Sequence, residues 1–96
     1  VCPVMISPVD ELWFASDRAF DPDNREEIPG GVDSVFTPQA PQSPDFRQLV
    51  SRRACERLLD LGTGCGLGAL IARFAGARQV TGLDVNQRAI HFARFN

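Results

Sequence analysis

Lysine is absent from the sequence. All ten basic residues are arginine, which reads as a composition bias and carries no function. A dense basic stripe is missing as well. Arg52, Arg53 and Arg57 stand close together, but such a cluster suits a solvated helix end, so charge gives no support to a nucleic-acid binder. Cysteine is sparse and odd in number. Cys2, Cys55 and Cys65 show no CxxC or metal-ligand spacing, and the single His91 cannot complete a zinc site with them. No metal site is expected, and reduced thiols in a cytoplasmic protein are the simplest reading. Long apolar runs are missing too. The longest, near residues 68–77, is interrupted by Arg73 and falls far short of the roughly 20 residues of a membrane helix. Residues 1–6 are apolar but have no basic leader and no cleavage-like pattern, so no secretory signal is expected there.

What is present is an ordinary globular composition. The 96 residues are 44% hydrophobic and 23% charged, enough for one small domain with a marginal core. The chain begins at Val1 rather than Met and stops within a helical pattern, so a piece of a longer protein is expected. Charge is uneven: residues 1–48 hold nine acids against Arg18, Arg25 and Arg47, whereas residues 49–96 hold seven arginines against Glu56, Asp60 and Asp84.

The two halves differ in pattern. Short apolar runs at 4–6 and 12–15 flank Pro8-Val9-Asp10 and read as two strands with a turn between them. Residues 18–44 are rich in Asp, Pro and Gly without a sustained period, so a long loop is expected, either a functional lid or partly disordered. The acidic run Asp21-Pro22-Asp23-Asn24 fails as a calcium loop, because Glu26 stands where the turn glycine belongs and Val32 where the bidentate acid belongs. From Ser43 the chain becomes regular. Ser43 suits an N-cap, Pro44 a first helical position, and Phe46, Leu49 and Val50 share one face. Residues 57–61 read as a buried parallel strand, and a glycine cluster over 62–68 follows. Leu67, Leu70, Ile71 and Phe74 form a helical stripe that Gly76 can end. Residues 79–84 read as a second strand, and Asn86 can cap a third helix through Ala89, Ile90, Phe92, Ala93 and Phe95. That order is a βαβ unit with parallel strands.

Ligands of open α/β sheets bind beyond the carboxyl ends of the strands. Asp60 and Asp84 stand there, on either side of the glycine turn. Gly62, Gly64 and Gly66 permit positive φ and close approach of a ligand to the backbone, and the helix start beyond offers free N–H groups to a carboxylate. Asp84, 20 residues after Gly64, is placed to accept from two ribose hydroxyls. A dinucleotide fingerprint can be fitted as Gly64, Gly66 and Ala69, but it would set the Asp60 carboxylate beside a pyrophosphate with no metal to bridge them. S-adenosylmethionine removes the conflict. Asp60 suits its cationic end, the glycine turn its carboxylate and ribose, and Asp84 its ribose diol.

The run Leu58-Leu59-Asp60-Leu61-Gly62-Thr63-Gly64-Cys65-Gly66 resembles motif I of class I S-adenosylmethionine-dependent methyltransferases, and Asp84 resembles the acidic residue of their motif II. Asp84-Val85-Asn86 followed by Ala89, Ala93 and Asn96 is similar to the HemK-like and small-domain group. The resemblance covers about residues 43–96. It implies an α/β, Rossmann-like three-layer sandwich of which only the N-terminal portion is present, with cofactor contacts at Asp60, Gly62, Gly64 and Asp84. Residues 1–42 then form an N-terminal hairpin and acidic Pro/Gly-rich loop, and 43–96 the first half of the methyltransferase domain. Phe36-Thr37-Pro38 could help close the cofactor site. The implied reaction is in-line methyl transfer to a nitrogen of a glutamine or nucleobase type, on a protein or nucleic-acid acceptor. The Asn-Pro-Pro-Tyr motif that holds such a nitrogen in the HemK-like group does not occur in these residues, so no catalytic residue is assigned.

Two other readings stand beside this one: a fragment of an NAD(P)-binding oxidoreductase, and a cofactor-binding module without catalysis. Individual residues have plainer roles open to them as well. Cys65 fits as a small residue in the turn, His91 as a helix-surface residue, and Trp13 and Phe14 as packing against the sheet or a partner segment. Asp60 could serve the turn through backbone N–H groups, and Asp84 could complement a helix dipole.

Overall fold

The computed structural model describes residues 2–21, 23–40, 43–50 and 53–96. The Pro22 position of the acidic run, the cap expected of the Ser43 side chain and the Arg52 member of the arginine cluster lie outside the described residues.

Strands β1 (Val4–Val9) and β2 (Leu12–Asp17) form an antiparallel hairpin closed by the Val9–Leu12 pair. The turn is therefore Asp10-Glu11, later than the expected Pro8-Val9-Asp10. Asp10 takes φ 53°, a left-handed conformation that aspartate tolerates. Pro8 lies inside β1 opposite Trp13, where a two-stranded ribbon loses no ladder bond to it. Its carbonyl points outward and accepts from Gln39 Nε2 at 2.9 Å. Alternation puts Ser7, Val9, Phe14 and Ser16 on the inner face, all buried, with Phe14 at 0% exposure. Trp13 falls on the outer face at 68% exposure, so only Phe14 of the expected aromatic pair packs inward.

The segment expected to be a long loop is folded against itself. Phe20 pairs with Glu27, and Asp21 N donates to Glu26 O at 2.9 Å. Asp21 Oδ1 accepts from Asp23 N and Asn24 Oδ1 from Glu26 N, so these acceptors serve turns. Residues 33–38 then cross the inner side of the hairpin as a strap. Val35 and Thr37 are buried, and Thr37 Oγ1 lies 3.4 Å from Ser7 Oγ.

Helix α1 (Ser43–Leu49) precedes β3 (Arg57–Leu61), α2 (Leu67–Phe74), β4 (Gln79–Leu83) and α3 (Gln87–Phe95). Strands β3 and β4 are parallel, in register from Arg57–Gln79 to Leu61–Leu83. Helix α2 packs on both, as the helical stripe requires, with Leu67 and Ile71 buried and Phe74 left outside. Phe46 of α1 reaches Gly68 of α2, while Leu49 stays exposed. The core cluster draws Val9 and Phe14 from the hairpin, Val35 from the strap, Cys65 from the glycine turn, Leu67 and Ile71 from α2 and Ala89 from α3. One apolar core thus joins both halves of the sequence.

This is the expected α/β arrangement in small form. Strand β3 was expected to be buried on both faces, but only Leu58 and Asp60 face the helices. Leu59, Leu61 and Leu83 point the other way and are exposed. A helical layer over that face is not among the described residues.

Candidate functional site

The glycine turn is built by backbone geometry. Gly62, Gly64 and Gly66 have φ of 70°, 55° and 89°, which side-chain-bearing residues adopt at a cost. The turn is tied to the neighbouring strand: Gly62 N and Thr63 N both donate to Leu83 O, at 2.8 and 2.9 Å. Gly66 starts α2 without a side-chain cap, and a Cβ there would lie 3.3 Å from Ala93 Cα of α3.

Asp60 takes over the missing cap. Its Oδ2 accepts from Ala69 N in the first turn of α2 at 2.9 Å and from Thr63 Oγ1 at 2.8 Å. Gly68 makes room, since a Cβ there would lie 3.2 Å from Asp60 Oδ2. A carboxylate on unpaired N–H groups at a helix start is favourable in both hydrogen bonding and charge.

Asp84 lies just beyond β4. Its Oδ2 accepts from Gly64 N at 2.8 Å and its Oδ1 from Asn86 N at 2.9 Å. A carboxylate offers about four acceptor positions, so two bonds leave capacity on each oxygen. Asn86 caps α3 as expected, its Oδ1 accepting from Arg88 N at 2.9 Å. Its Nδ2 also donates to Asp33 O at 2.7 Å, fixing the strap to the helix start.

Between strap and turn lies a cleft of about 240 Å³. Gly62, Gly64 and Asp84 line one side, and Phe36, Thr37 and Pro38 the other. The structure thus brings three of the four expected site residues to one cleft. Asp60 does not line it; its carboxylate sits behind the turn and reaches the wall through Thr63. Cys65 also lines the cleft, and burial pushes its thiol up, which favours the neutral form. His91 is on the outer surface of α3, with Gln87 Nε2 3.3 Å from its Nε2, as the plainer reading had it.

Two polar contacts were not legible in the sequence. Arg88 Nε donates to both carboxylate oxygens of Asp17, at 3.0 Å each, and Asp17 Oδ2 accepts from Val35 N at 2.9 Å. The Asn96 carboxamide accepts from Ala15 N at 2.7 Å and donates to Ala15 O at 3.0 Å, as a paired strand would. It also donates to Cys65 O in the glycine turn at 2.7 Å. The partners are 71 and 81 residues apart, and a separation of that size carries no local signal in the sequence.

Comparison with known proteins bears on the same question. A protein of Aquifex aeolicus (strain VF5) named ribosomal protein L11 methyltransferase is 38% identical over 39 residues, which are 41% of this chain and 16% of that protein. Proteins of the same name from Burkholderia mallei (strain NCTC 10229) and Burkholderia pseudomallei (strain K96243) are 42% identical over 41 residues, 43% of this chain and 14% of theirs. The matched stretch is thus about a sixth or less of these relatives' length. The matches carry the L11 name, so they support the methyltransferase class without speaking for the HemK-like group. The family model for ribosomal protein L11 methyltransferase (PrmA) matches residues 47–96, just over half of the sequence, and the chain belongs to that family.

Proposed function

We propose that this chain is the cofactor-holding front of an S-adenosylmethionine-dependent methyltransferase. Gly62, Gly64 and Asp84 hold the cofactor, and Asp60 acts on its cationic end from behind the turn through Thr63. The observation that carries this is Asp84: a carboxylate pinned by two backbone N–H groups, in a cleft, with acceptor capacity left on both oxygens. A ribose diol presents two donors to such a group. The cleft of about 240 Å³ is smaller than the roughly 300–1,000 Å³ of whole-ligand pockets, so it suits one portion of the cofactor. When bound, S-adenosylmethionine supplies a methyl group on a sulfonium, a good leaving group. The protein's part is then to orient it and keep its field favourable. In this reading residues 1–42 cap the cleft, and 43–96 are the first half of a Rossmann-like sandwich.

The relatives' names speak for a protein acceptor, and we carry ribosomal protein L11 over as the proposed one. The glutamine or nucleobase nitrogen rests on the HemK-like resemblance alone. A ribosomal-protein acceptor and three free thiols favour a cytoplasmic protein. Calorimetry with S-adenosylmethionine and with NAD tests the cofactor. The expected result is binding of S-adenosylmethionine, weakened by about 1–3 kcal/mol in Asp84→Ala through lost ribose hydrogen bonds. Preference for NAD, or an unchanged affinity in the variant, overturns the reading.

A further inference from the structure

We infer that Asp17, a residue of the N-terminal hairpin, is a positioning residue for the cleft: it sets the distance between the strap over 33–38 and the glycine turn, and through that the affinity for the adenosyl cofactor. The inference rests on the cofactor reading above. Asp17 does not line the cleft; it acts through Val35 and Arg88. Its carboxylate is buried, and it joins two elements that each carry a cleft wall. Oδ2 accepts from Val35 N, next to Phe36 on the strap, at 2.9 Å. Both oxygens accept from Arg88 Nε at 3.0 Å, and Arg88 Nη2 adds a further bond, in the forked geometry that fixes orientation as well as distance. The guanidinium in turn lies 5.3 Å from the Phe92 ring centroid, which restricts its swing.

Arg88 stands two residues after the Asn86 cap, and Asn86 N is held by Asp84 Oδ1. The strap is therefore fixed to the start of α3 at two points, Asp33 O through Asn86 and Val35 N through Asp17. Asp84 faces the strap from the same anchor. Loss of the Asp17–Arg88 bonds removes one of the two ties between the strap and the start of α3 and leaves the one from Asn86 Nδ2 to Asp33 O. A displaced strap then changes the cleft, which residues 34–38 line, without unfolding the core.

Asp17→Asn keeps an acceptor for Val35 N and removes the ion pair. Calorimetry with S-adenosylmethionine on the wild-type chain, Asp17→Asn, Arg88→Gln and the double variant is expected to show about tenfold weaker binding in each single variant. The double variant should lose no more than either single one, because the two residues act as a unit. Phe14→Leu, in the hairpin core, serves as the comparison at matched loss of melting temperature, and it should bind nearly as the wild type does. Hydrogen exchange at 34–38 should quicken in Asp17→Asn and not in Phe14→Leu. Equal affinity in the wild type and Asp17→Asn, or equal weakening in Phe14→Leu, overturns the inference and leaves the cofactor reading standing. A wild-type chain that binds no S-adenosylmethionine removes both.

Discussion

Asp60 shows how much a single residue's position tells and how much its partners add. A carboxylate at a strand end before a glycine turn was legible in the sequence, and so was its plainer use on backbone N–H groups. Which N–H groups it would meet was not, because Ala69 lies nine residues on and reaches Asp60 only when α2 folds back over β3. The cap has a measurable consequence. Asp60→Ala is expected to destabilise the chain by about 1–2 kcal/mol, read from denaturant unfolding, whereas Asp60→Asn should recover most of that by keeping an acceptor. Gly82 makes the same point through space. A Cβ there would lie 2.7 Å from Thr63 Oγ1 and 3.0 Å from Thr63 Cβ, and Thr63 is held by its bond to Asp60. Gly82→Ala should therefore cost about 1–3 kcal/mol, partly recovered when Thr63→Ala is added. Additive losses would show that the two side chains do not compete for one space.

At the scale of elements, helix periodicity was readable and the partners of each helix were not. The Asn86 cap and the Leu67–Ile71 stripe follow from local pattern. The joining of α3 to β2 rests on Arg88 and Asn96, whose side chains bond to Asp17 and Ala15. That join is pH-dependent. Burial pushes the Asp17 carboxyl up, but the Arg88 guanidinium and the Val35 N–H outweigh it and hold it below its ordinary 3.8. A carboxyl lowered in the folded state contributes stability that is present above 3.8 and lost as pH falls through the lower folded value. Thermal melting should therefore show an acid loss below pH 4 that is smaller in Asp17→Asn. Cys65 works in the opposite range. Burial raises its thiol above the ordinary 9.0, so its contribution is present below that value and lost as pH rises through the folded one. Cys65→Ala should flatten the alkaline limb of the same melting profile.

At the scale of the whole molecule, the described residues share a common core cluster and leave a sheet face uncovered. Val9, Phe14, Val35, Cys65, Leu67, Ile71 and Ala89 pack together although they come from both halves of the sequence. On the far side of the parallel strands, Leu61 is 72% exposed beside Leu59 and Leu83. An apolar sheet face in water favours association, since each buried Å² of it gains about 25 cal/mol. Sedimentation should show self-association of the chain that rises with concentration and falls in Leu61→Asp. A monomer at every concentration would show that this face stays hydrated. The sandwich that the family resemblance implies requires cover on that face, whereas the described residues cover the other.

The sequence by itself determined local elements and their order: the succession of strand, glycine turn and helix, the two acids at the strand ends, and the cap of the third helix. These depend on φ limits, period and spacing, which act over a few residues. Only the tertiary structure decided that Asp60 serves α2 while Asp84 faces the cleft, that residues 34–38 become a wall of that cleft, and that Asp17 meets Arg88. Those outcomes depend on which surfaces pack together, and packing brings into contact residues whose separation along the chain carries no signal.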